Sequence, residues 1–62
     1  MKFFRKNGQP FDTPYDIVKL DKKTCVVFRD DYDAEDFLDD VLEGKGYIVS
    51  ANGFFNGVII NG

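Results

Sequence analysis

The stretch Asp33-Ala34-Glu35-Asp36-Phe37-Leu38-Asp39-Asp40-Val41-Leu42-Glu43 decides the fold. At about 100° per residue, Ala34, Phe37, Leu38, Val41 and Leu42 fall in one arc roughly 140° wide. Glu35, Asp36, Asp39, Asp40 and Glu43 fill the opposite arc. The pattern predicts one amphipathic helix over 33–43, with an apolar face and an acidic face. Asp33 is the predicted N-cap, since its carboxylate accepts a bond from an orphan amide of the first turn. Glu35 and Asp36 suit the positive end of the helix dipole. Gly44 supplies the stop, and Lys45 lies near the negative end.

The segments on either side read as strands. Residues 15–20 and 24–29 are rich in aromatic and β-branched types, and the polar Asp21-Lys22-Lys23 between them predicts an antiparallel hairpin. Residues 2–5 read as a short strand ending at an Asn7-Gly8 turn, and Pro10 and Pro14 bracket an irregular connection. Residues 47–51 and 58–60 read as the last two strands. Every Asn in the chain precedes a Gly, so two turns compete in this region. A tight turn at Asn52-Gly53 pairs 47–51 with Phe54 onward. A longer loop pairs it with 58–60. The expectation is a single α+β domain over 1–62, in the order β-ββ-α-ββ. A small antiparallel sheet of three to five strands, made of two hairpins, packs on one helix. Its predicted core is Ile17, Val18, Val26, Phe28, Phe37, Leu38, Val41, Leu42, Ile48 and Ile59.

Composition narrows the chemistry. The 62 residues include no His, so the commonest general base is missing. The lone Cys25 has no His to activate it and sits in a predicted strand, where it reads as a small buried hydrophobe. Zinc sites are built from several Cys or His ligands, and Cys25 is the only such residue in the chain. Asp31, Asp33 and Glu35 alternate like the start of a calcium loop. However, Asp36 stands where that loop needs Gly, and Leu42 where it needs a bidentate acid. The expectation is therefore a non-enzymatic protein with no metal or cofactor. No run of signal-peptide length opens the chain, and no apolar stretch approaches a bilayer span. With a single thiol, the expectation is a soluble protein of a reducing cytoplasm, or of the host cytoplasm if phage-encoded.

The charge is unevenly placed. Net charge is −3, yet eight of the eleven acids lie between Asp30 and Glu43 with no base among them. Eight bases against three acids leave the rest of the chain at +5. On the helix, Glu35–Asp39, Asp36–Asp40, Asp39–Glu43, Asp36–Asp39 and Asp40–Glu43 are all like-charged neighbours. Each costs roughly 0.2–0.5 kcal/mol, about 1–2.5 kcal/mol together before screening. A solvated helix usually mixes signs, so an unrelieved acidic face is the leading site candidate. Glu35, Asp36, Asp39, Asp40 and Glu43 would attract a Lys/Arg-lined surface of a larger protein, such as a nucleic-acid-binding groove. Short stand-alone acidic proteins act as inhibitors in phage–host conflict, so an inhibitor of phage or mobile-element type is the expectation by analogy.

Two further readings belong to other classes. A strand edge, 58–60, would pair with a second copy and make a homodimeric assembly protein. The basic-aromatic N-terminus, with Lys2, Arg5 and Lys6 around Phe3 and Phe4, resembles single-strand binders. The acidic helix on the same small body argues against direct nucleic-acid contact. Phe54 and Phe55, between two Asn-Gly pairs, form an apolar contact patch if they sit at a loop tip.

Overall fold

In the computed structural model, which describes residues 2–51, 53 and 55–60, four strands form one antiparallel sheet against a single helix. The elements are β1 (Asp16–Leu20), β2 (Lys23–Val27), α1 (Asp31–Asp40), β3 (Gly46–Val49) and β4 (Gly57–Ile60). The α+β class and the hairpin–helix–hairpin order are as the sequence predicts. Residues 2–5 are the exception, making only an isolated bridge between Phe4 and Pro10. Pro10 donates no amide, so a longer ladder has nothing to continue on.

The sheet order is β1-β2-β4-β3. β2 and β3 run parallel, α1 crosses between them, and β4 inserts into the gap. The second hairpin uses the longer of the two competing loops, since Val49 pairs with Gly57 and Gly46 with Ile60. β4 is therefore central, with hydrogen-bonded strands on both sides. The predicted free edge at 58–60 is corrected by this order: β1 and β3 are the edges. A continuous Val-Ile-Ile run suits a strand with apolar neighbours on both faces.

Two rows of side chains cross the sheet on opposite faces. Ile17, Val26, Val58 and Ile48 are successive cross-strand partners on the helix side. Val18, Cys25, Ile59 and Tyr47 make the equivalent row on the outer side. Side chains alternate along a strand, so these faces follow from register. Val18, a predicted core residue, lies instead on the outer face and is exposed. Ile59 is buried there, with Cys25 and Val27, in a second small cluster. Burial pushes the Cys25 thiol above its ordinary range.

The main core centres on the fully buried Phe37. Phe3 meets it edge-on at 4.8 Å between ring centroids, Phe28 lies tilted at 4.9 Å, and Phe11 stands at 5.5 Å. Phe3 and Phe11 come from the N-terminal segment, which crosses the helix and closes the core. Its backbone is tied by Phe11 donating to the Phe3 carbonyl and Lys6 to the Asp40 carbonyl. Asn56 is buried, and its amide donates to the Phe28 carbonyl at 2.8 Å, extending the β2–β4 contact past Val27.

Candidate functional site

The N-cap of α1 lies three residues earlier than predicted. Asp30, in extended backbone, is the N-cap, and its carboxylate accepts from the Asp33 amide at 2.8 Å. Asp30 and Asp33 are equally able caps. Capping at Asp30 places Asp31 and Asp33 in the first turn, near the positive end of the dipole. The helix also ends earlier, at Asp40. The Val41 and Leu42 amides both donate to the Phe37 carbonyl, and the Gly44 amide donates to that of Leu38. Glu43 and Gly44 are both left-handed, at φ 53° and 81°. Glu43 therefore stands in the exit turn and not on the helix.

The new boundaries change the composition of the solvent face. Asp31, Glu35 and Asp39 form one ridge at i, i+4 spacing, each step rising about 6 Å. All three are exposed. Tyr32 stands beside this ridge, 73% exposed, one turn before Asp36. Sequence reasoning misses it because the predicted helix starts after it. The capping ability of Asp30 is the signal that would have found it.

Asp36 and Asp40 behave differently from their neighbours. Arg5 reaches across from the N-terminal segment and donates through one Nη to both carboxylates, at 3.0 Å each. The same guanidinium lies 4.5 Å from the Phe11 ring centroid. Asp40 first, then Asp36, holds the Arg5 pKa above its ordinary value. The acidic face thus contains a cation supplied from 31 residues away, where the helix alone offers none. Among the described residues this is the only ion-paired cation. It relieves the Asp36–Asp40 repulsion, and Glu43 leaves helical spacing altogether. The unrelieved helical pairs are Asp31–Glu35, Asp33–Asp36, Glu35–Asp39 and Asp36–Asp39, roughly 0.8–2 kcal/mol in all.

The five predicted acids therefore separate by role. Glu35 and Asp39 share the open ridge, Glu43 is exposed just beyond its end, and Asp36 and Asp40 are half-buried anchors for Arg5. Replacing Arg5 with alanine should release the N-terminal segment from the helix. Faster proteolytic cleavage after Lys6, with the sheet still protected, is the expected result. Arg5, one of the three bases in the nucleic-acid reading of the N-terminus, is thus ion-paired with the helix.

Asp33 lies half-buried near the start of the helix. Burial, and then the nearby Asp30, Asp12 and Asp36, raise its carboxyl above the usual range. A folded-state pKa above the unfolded one means protonation favours folding. That contribution is fully present below the ordinary aspartate value of about 3.9 and is lost as pH rises through the folded value. Asp33→Asn should therefore melt higher than the parent at neutral pH. The difference should vanish at about pH 3, where both side chains are neutral.

Asp31 and Glu35 share the open ridge, while Asp33 points to the opposite side of the helix. Among the described residues no group of three metal-ligating side chains comes together. Phe55 is exposed in the loop between β3 and β4, while its predicted companion Phe54 lies outside the described residues. Among the described residues no helix is long and apolar enough to cross a membrane. No protein-family model, curated protein or solved structure matches this chain.

Proposed function

We propose that this chain is a small non-enzymatic protein-binding module that presents the acidic face of α1 to a basic surface on a larger protein. The observation that carries the reading is the ridge Asp31, Glu35 and Asp39, exposed beside Tyr32 and unpaired with any described cation. Arg5 is ion-paired with Asp36 and Asp40 and not with the ridge, whose charge is free for a partner. A regular row of carboxylates matches a groove lined by Lys and Arg, the kind that holds a phosphate backbone. Tyr32 adds a large, stiff anchor over which an arginine can stack. In this reading the module occupies a nucleic-acid groove and inhibits the protein that owns it, in the reducing cytoplasm. The phage or mobile-element setting rests on analogy.

The test is capture of the partner on immobilised chain from lysate of the source cell, with elution in a salt gradient. Retained protein should leave at low to moderate salt and should be displaced by duplex DNA. The Glu35→Lys/Asp39→Lys double variant leaves the Arg5 anchors intact and should retain at least about tenfold less of it. Equal retention by this variant, or elution insensitive to salt, would sink the reading.

A further inference from the structure

The acidic face already binds one guanidinium, that of Arg5. One Nη donates to both Asp36 and Asp40, at 3.0 Å each, and the guanidinium carbon lies 4.5 Å from the Phe11 ring centroid. The arrangement is open to water. The Arg5, Asp36 and Asp40 side chains are 29%, 30% and 27% exposed. A single shared Nη also leaves the planar fork unmatched to either carboxylate, where two parallel N–H···O bonds would hold it more firmly. Exposed pairs of this kind are individually weak, since water screens them and both side chains lose freedom in forming them. Asp36 and Asp40 also stand next to the open ridge. Tyr32, Asp36 and Asp40 form one row at i, i+4 spacing, and Asp36 is the i, i+3 neighbour of Asp39. Asp36 is therefore a rise of only about 6 Å from an arginine stacked on Tyr32. With Arg5 in place the outward face offers Asp31, Glu35 and Asp39. Without Arg5 it offers Asp36 and Asp40 as well.

We propose that Arg5 is an internal competitor for this face, a cationic strap that a guanidinium of the docking partner displaces from Asp36 and Asp40. The inference rests on the reading of α1 as the partner surface and adds a device to it. Arg5 belongs to the segment that closes the core through Phe3 and Phe11. Its displacement loosens that segment as the partner docks. The same contact lowers the affinity of the free chain for polycations in general, because two carboxylates are already taken. A partner must therefore supply more than diffuse positive charge. Its arginines must reach past the ridge into the Asp36–Asp40 row, where a guanidinium is already shown to fit.

Fluorescence anisotropy with a labelled oligo-arginine peptide tests the inference at about 0.15 M salt, where fields are screened over about 8 Å. Arg5→Gln should bind the peptide roughly three- to tenfold more tightly than the parent, as two weak pairs become available. Lys6→Gln removes the same charge from the same segment without vacating a carboxylate, and its gain should stay below about twofold. In an Asp36→Asn/Asp40→Asn background the Arg5→Gln gain should shrink to that of Lys6→Gln. In the parent chain the Arg5 Nε–H resonance should move with the same midpoint as the amides of Glu35 and Asp39. Equal gains from Arg5→Gln and Lys6→Gln, or an Arg5 resonance unmoved at saturation, would overturn the inference. Loss of binding in Glu35→Lys/Asp39→Lys alongside such a result leaves the ridge reading intact. Undiminished binding in that variant, or no binding by the parent and Arg5→Gln alike, removes the reading and the inference together.

Discussion

Phe37→Ala should leave the chain largely unfolded at 25 °C. The side chain is fully buried, and three other phenylalanine rings converge on it from β2's end and the N-terminal segment. Truncating a buried phenylalanine costs about 3–5 kcal/mol, from lost transfer energy and the cavity left behind. A domain of this length holds roughly 3–9 kcal/mol in total. Phe3 and Phe11 both pack on this ring, so the N-terminal segment should loosen with its loss. Urea titration followed by circular dichroism should show the folded baseline shortened or absent. A midpoint close to the parent's would mean that Phe37 is not the centre of the core.

Gly46→Ala should be the next most damaging change. Gly46 begins β3, where the strand passes over the end of the helix. A Cβ built there would press on the backbone carbonyl oxygen of Ile59 and come within 3.2 Å of a Leu42 methyl and 3.4 Å of a Leu38 methyl. A carbonyl in a central strand cannot turn aside without breaking the β3–β4 ladder. Overpacking of this kind costs about 1–3 kcal/mol. Thermal melts should show the loss. The same assay on Gly44→Ala should also show destabilisation but for another reason, since nothing crowds Gly44 and its φ of 81° alone disfavours a side chain. A Gly46→Ala chain as stable as the parent would mean that β3 does not approach β4 and the helix this closely.

Much of the fold was legible because its signals are local. The apolar period at Ala34, Phe37, Leu38, Val41 and Leu42 marks the buried side of the helix correctly. It overstates the length, because Val41 and Leu42 still point to the core after the backbone has left the helix. The start was ambiguous between Asp30 and Asp33, and that ambiguity hid Tyr32. The strands were visible in their β-branched runs. Their order was not, since the insertion of β4 between β2 and β3 depends on which Asn-Gly turn closes the hairpin. The doubly apolar run at 58–60 was the clue, and it points to a central strand and not to an edge.

The candidate site was legible in its charge and not in its organisation. The acids stand where the periodicity puts them, but Arg5 reaches them through a tertiary contact that no local spacing reveals. That contact divides one acidic face into anchored and open carboxylates. The outer sheet face was hidden for a related reason. Val18 and Ile59 both read as members of one core, and only the register separates them onto the side opposite Ile17 and Val58.

The open ridge of α1 is the surface proposed to touch a partner. Amide and side-chain shift mapping of the isotope-labelled chain, titrated with the protein retained in the capture experiment, tests this directly. Shifts should concentrate at Asp31, Tyr32, Glu35 and Asp39, fade with added salt and leave β1 and β4 unmoved. Shifts confined to the outer sheet face or the N-terminal segment, with the helix ridge silent, would contradict it.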